Sequence, residues 1–149
     1  MTLRLMMFVG TATVALAACS QPAGPPGGSA LPCNNGVCKV DVTVTNGDCS
    51  NAANIVVQPD PLPVPAGSSN NIEWTVQSGF TWVAPPGGIT SLPPAIFTNP
   101  QLTGNGRKYS LRDANPETTP TLHKYDVHLQ KDGGTTCAVK DPTIKNGAS

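Results

Sequence analysis

Apolar and polar residues alternate in short runs along most of this chain, with the period of two that sends successive side chains to opposite faces of a strand. Residues 38–45 show it most strictly: Cys38, Val40, Val42 and Val44 fall on one face, Lys39, Asp41, Thr43 and Thr45 on the other. Asn46-Gly47 follows, a dipeptide that favours a tight turn. Residues 72–77 repeat the pattern through Ile72, Trp74 and Val76; Tyr109 and Leu111 mark another strand; Tyr125, Val127 and Leu129 mark the clearest late one. Gly133-Gly134 links that strand to residues 135–139, predicting a hairpin in which Cys137 and Val139 share a face. No helical stripe follows Cys19. The pattern predicts an all-β domain, a two-sheet antiparallel sandwich of about seven strands.

Proline placement refines this picture. Pro59, Pro61, Pro63 and Pro65 are spaced by two, so four backbone donors are missing from one side of an extended segment. Such a segment belongs at a sheet border, where it discourages pairing with another chain. Pro85-Pro86-Gly87-Gly88 and Pro93-Pro94 mark a loop-rich crossing between strands. With 16 prolines and 15 glycines in 149 residues, the chain stays below the roughly 25–30% that signals disorder.

The N-terminus has a different character. Arg4 precedes an apolar stretch over residues 5–16, and Ala17, Ala18 and Cys19 follow. A basic start, a short apolar core and small residues describe a secretory signal peptide. The core is about a dozen residues, short of the roughly 20 that a spanning helix needs. The LAAC run over residues 16–19 resembles the lipobox of bacterial lipoproteins. That resemblance implies cleavage before Cys19, lipidation of Cys19, and, with Ser20 rather than Asp next, routing to the outer membrane, facing the periplasm or the surface. Several acyl chains hold a protein firmly, since each buried methylene contributes about 0.8 kcal/mol. Residues 20–32 (SQPAGPPGGSALP) cannot build a core and read as a flexible tether. The expected organisation is a signal peptide over 1–18, the lipidated cysteine and linker over 19–32, and one sandwich domain over 33–149. Losing Arg4 with the leader takes Lys plus Arg from 9 to 8 against 9 acidic residues, a net charge of −1. No basic surplus exists to attract nucleic acid.

With Cys19 set aside, Cys33, Cys38, Cys49 and Cys137 remain, an even number in an exported protein and so a pair of disulfides. Pairing Cys33 with Cys38 closes a small Asn-Asn-Gly loop, and Cys49 with Cys137 ties an early turn to the late hairpin. Cys38 with Cys137 is the rival, because Cys38 lies on the core face. A four-thiolate zinc site is a further alternative, disfavoured by the oxidising compartment and by spacings unlike paired CxxC motifs.

The segments VVQPDPLPVPAG, NIEWTV, GFTWVAPPGGI, KYDVHL and DPTIKNG resemble those of small exported bacterial β-sandwich proteins with immunoglobulin-like or cupredoxin-like strand patterns. The resemblance implies a fold. A copper carrier needs two histidines, a cysteine thiolate and usually an axial methionine. Met1, Met6 and Met7 leave with the leader, and no histidine follows Cys137, so no metal or other cofactor is expected. His123 and His128, five apart, fall on opposite faces of a regular strand. His123 is expected at a strand start near Tyr125, and His128 outward with Lys124, Asp126 and Gln130.

Candidate chemistry is sparse. No GxSxG elbow, HExxH or phosphate-cradling loop occurs, and Asp41 and Glu73 fall on outward strand faces. Arg107, Lys108 and Arg112 form the one basic cluster and read as a solvated strand face. An enzyme is not expected. The expected function is that of a lipid-anchored envelope protein acting as a non-catalytic binding or protein-interaction module, with the membrane and an envelope protein as partners. One alternative is a small-ligand or carbohydrate binder presenting Trp82 and Tyr109 as an aromatic platform. Another is a structural envelope component without a dedicated ligand. Trp74 and Trp82 both alternate with apolar neighbours and read as core.

Overall fold

The computed structural model describes residues 33–66 and 69–148. Residues 1–32, with the expected leader, lipidation site at Cys19 and tether, lie outside the described residues. Among the described residues thirteen short strands follow one another: β1 (Cys33–Asn34), β2 (Val37–Val44), β3 (Ile55–Gln58), β4 (Leu62–Pro65), β5 (Asn70–Val76), β6 (Phe80–Trp82), β7 (Ile89–Thr90), β8 (Phe97–Thr103), β9 (Lys108–Asp113), β10 (Thr121–Lys124), β11 (Asp126–Val127), β12 (Leu129–Lys131) and β13 (Thr143–Ala148). The fold is an all-β sandwich.

One layer is a sheet in the order β1-β2-β5-β9-β8, with β3 also paired to β2. The other is carried by the chain from Thr121 to Lys131. Its β10 joins β13 and β4 in a three-stranded sheet, while β11 pairs with β7 and β12 with β6. The count exceeds the expected seven because the second layer is broken into short pieces. Nor is the pairing wholly antiparallel, since β2 with β5 and β13 with β4 run parallel. Parallel neighbours need a long connection, and here the chain leaves β2, lines its edge as β3, crosses to the other layer as β4 and returns as β5.

Alternation decides the layers' inner faces. β2 is buried at Cys38, Val40, Val42 and Val44 and exposed between them, β5 buries Ile72, Trp74 and Val76, and Tyr125, Val127 and Leu129 bury from the second layer. Trp74 Nε1 donates to the Tyr125 hydroxyl at 2.9 Å, joining the layers through their largest side chains and satisfying both buried polar ends. Burial pushes the Tyr125 phenol well above its usual range, partly offset by that bond. Trp82 Nε1 donates to the Arg107 carbonyl at 3.1 Å.

The second half of the proline segment lies at a border as expected, whereas Pro59 and Pro61 fall in the bend between β3 and β4 rather than on an extended edge. β4 pairs only with β13 within its sheet, and Pro63 and Pro65 sit on it. The disulfides join Cys33 to Cys38 and Cys49 to Cys137. The second closes a separation of 88 residues, for which the chain-entropy account assigns about 4–5 kcal/mol. The late hairpin differs from expectation. Residues 135–139 form no strand, and isolated bridges pair Gln130 with Thr136 but Val127 with Lys140, a register offset by one residue. A one-residue slip reverses facing, so Cys137 is buried while Val139 is 48% exposed.

Candidate functional site

The outer face of the larger sheet carries a polar groove of about 360 Å³ at one end. It is lined by Asn35, Gly36, Ser69, Asn70, Asn71, Asn99 and Arg112. The sheet register explains the gathering. The Asn71 amide N–H donates to the Gly36 carbonyl at 2.8 Å, Asn71 lies opposite Arg112, and Arg112 lies opposite Thr98. Asn99 follows where the β8–β9 register shifts, with φ 57°. Asn35, at φ 51°, makes the tight β1–β2 turn with Gly36. Asparagine tolerates this left-handed backbone better than most residues, so the turn and the bulge both place an amide at the groove.

Arg112 supplies the groove's charge. Its Nε donates to Ser69 Oγ at 2.9 Å, and no carboxylate pairs with it among the described residues. Glu73, on the same face, is engaged instead by Lys108 at 3.1 Å on the diagonal away from Arg112. The expected basic cluster therefore divides. Lys108 is paired, Arg107 sits in the turn before β9, and Arg112 faces a ring of amides.

A second opening lies between the layers beside edge strand β8, an apolar cleft of about 190 Å³ whose lining includes Ile89, Leu92, Phe97 and Leu111, with Thr90 and Tyr109 as its hydroxyl-bearing residues. Gly88 borders Tyr109 so closely that a Cβ there would stand 2.6 Å from the ring. Thr90 Oγ1 lies 2.9 Å from His128 Nε2 and 3.4 Å from Asp126 Oδ2, and Ser91, at φ 66°, also hydrogen-bonds Asp126 Oδ2. The order of contacts matters. Nucleophilic catalysis places the base between hydroxyl and carboxylate, with the carboxylate orienting the imidazole. Here the carboxylate meets the two hydroxyls, and Thr90 stands between it and His128. The arrangement immobilises the β7 turn against β11.

A third polar group is internal. Asp113, Asn115 and Asn146 are all but fully buried. Asp113 Oδ1 accepts from the Asn115 amide N–H at 2.8 Å and from Asn146 Nδ2 at 3.3 Å. Asn146 Nδ2 also donates to Glu117 Oε2 at 2.8 Å, and Glu117 Oε1 lies 2.7 Å from His123 Nε2. Asn115 Nδ2 reaches the Pro65 carbonyl. This chain of contacts fastens β9 to β13, β10 and the end of β4, across the two layers. Asp113 Oδ2 and the amide oxygens of Asn115 and Asn146 have no hydrogen-bond partner. Burial raises the Asp113 carboxyl above its ordinary value, against the lowering influence of the Asn115 and Asn146 bonds.

The aromatic platform does not exist. Trp82 is 1% exposed and Tyr109 fully buried, packed together with ring centroids 5.7 Å apart. Both point inward because β6 and β9 alternate against the core. The histidines separate as the spacing predicts, His123 inward against Phe97 and Glu117, His128 on the other face against Thr90. Cys33, Cys38, Cys49 and Cys137 are occupied in disulfides, and Cys19 lies outside the described residues. Sequence reasoning missed the groove residues Asn35, Ser69, Asn71 and Asn99. Their local signals, Asn35-Gly36 and Asn99-Pro100, announce turns and say nothing of convergence. Neither a protein-family model nor a curated relative matches this sequence.

Proposed function

We propose that this chain is a lipid-anchored component of the bacterial cell envelope, held through an acylated Cys19, whose sandwich acts as a non-catalytic binding module. The observation that carries the reading is the groove around Arg112, an uncompensated guanidinium ringed by amides on an open sheet face. A charge left unpaired at a concave polar surface is suited to a ligand's opposite charge. The contact order around Thr90 supports a structural rather than catalytic role for the one hydroxyl–imidazole pair in the described residues. The interlayer cleft supports a second reading, a small ligand with an apolar body hydrogen-bonded by Thr90.

A photoreactive amino acid at Asn71, with a control at Lys124 on β10, tests the binding surface in intact envelopes. The expected result is a discrete adduct from position 71 and none from 124, on a protein whose N-terminal peptide carries acyl chains on Cys19 by mass spectrometry. Equal labelling at both positions, or an unmodified soluble N-terminus, would overturn the respective halves of the proposal.

A further inference from the structure

We infer that the Arg112 groove takes an acidic sugar, with the ligand's carboxylate on the guanidinium and its ring hydroxyls on the amides of Asn35, Asn71 and Asn99. This inference rests on the binding-module reading and names the ligand class for the same groove. It follows from the kinds of hydrogen-bonding group present. Arg112 offers only donors, arranged as a planar fork that matches a carboxylate. Each asparagine amide offers two donors and an acceptor, which suits hydroxyl groups that both give and receive. A compact inorganic anion would draw on the amide N–H groups and leave the amide oxygens with little to accept from. A polyol carrying one carboxylate satisfies both kinds of group.

The shape agrees. The groove runs across strands, from the β1–β2 turn over β5 and β9 to the β8 bulge, a span of about 14 Å at ordinary strand spacing. That length fits a short oligosaccharide laid on the sheet face. An extended peptide instead gains its affinity from free backbone groups at a sheet edge, and β5 and β9 are paired on both sides. Ser69 restrains the guanidinium through Nε, which leaves its terminal nitrogens free to form the fork. No aromatic ring lines the groove, so recognition is led by charge and hydrogen bonds, with affinity weakening as salt rises.

The test titrates the full mature chain, disulfides intact, with trigalacturonate, its neutral methyl ester, an N-acetylmuramic acid disaccharide and a glutamate-rich peptide. Calorimetry reads affinity, and the side-chain amide resonances of Asn71 and Asn99 read location. The expected result is binding of the acidic sugars, shifts at both amides, and at least tenfold weaker binding of the ester. Arg112→Met should weaken the acidic sugars about tenfold or more, as loss of a charged hydrogen bond implies, while Arg112→Lys weakens them less. Asn71→Asp, which places a carboxylate opposite Arg112 without altering the strand, should also weaken binding at least tenfold, and near-native amide spectra for all three variants confirm folding. Whichever acidic sugar binds more tightly assigns the source, an exopolysaccharide uronate or a wall glycan. Equal binding of the ester, indifference to Arg112→Met, or tighter binding of the peptide would overturn the inference. If no sugar binds but position 71 still gives its adduct in envelopes, the ligand class is wrong and the binding-module reading stands; if neither occurs, both fail.

Discussion

Arg112 and Asp113 are neighbours on one strand, and their surroundings are opposite in nearly every physical respect. Arg112 faces outward into a groove of amides, with solvent on one side and a single Ser69 contact. Asp113 faces inward, fully buried, holding Asn115 and Asn146 and through them Glu117 and His123. One step along a strand exchanges solvent for interior. The charge outside is free to meet a ligand, whereas the charge inside is committed to fastening the layers. Burial of a carboxylate is costly unless it is bonded, and the three unpartnered oxygens around Asp113 show that the internal group satisfies this requirement only in part.

The largest expected effect that would sharpen this contrast comes from Asn146→Ala. The substitution removes the donor shared by Asp113 and Glu117, leaving two carboxylates with less compensation in the interior. A loss of about 3 kcal/mol in urea unfolding is expected. A change below about 1 kcal/mol would mean that the network does not fasten the layers.

Asp113→Asn should produce a smaller, pH-dependent effect. Because burial raises the native carboxyl's pKa, the folded state retains a proton where the unfolded chain has already lost it. The corresponding stability is fully present below the unfolded carboxylate's pKa and is lost as pH rises through the folded value. Unfolding midpoints measured from acid to neutral pH should therefore decline for the native chain relative to Asp113→Asn. A native chain that gains stability over this range relative to the variant would contradict the sign.

The smallest stability change should come from Arg112→Met, within about 0.5 kcal/mol as for exposed residues away from special features. The same substitution should abolish the groove's preference for acidic ligands. A large loss of stability instead would make Arg112 a structural residue and erase the difference between the two neighbours.

Much of the fold was legible from local pattern. Val40, Val42, Val44, Ile72, Trp74, Val76, Tyr125, Val127 and Leu129 all face inward as alternation predicts, because period two follows from strand geometry alone. The prolines at 63 and 65 lie on an edge because a missing donor is a property of the residue itself. Val139 departed from its expected face where a register offset, invisible locally, reversed the segment. β13 was less legible still, since Thr143–Ala148 lies between β10 and β4, and Gly147, at φ 71°, approaches the Thr119 carbonyl so closely that a Cβ would stand 2.6 Å away. Trp82 read as core from its alternation with Phe80, and the packing of β6 against β9 bears that out while removing the alternative of an aromatic platform with Tyr109.

Local residue pattern was enough to dictate the β character, the inward faces of the main strands and the edge at Pro63 and Pro65. Each depends on a residue and its immediate neighbours. It took the assembled sandwich to bring Asn35, Asn71, Asn99 and Arg112 into one groove, and Asp113, Glu117, His123 and Asn146 into one internal network. Those meetings depend on which strands pair and in what register, a choice made by burial across the whole sandwich rather than by any local run of residues.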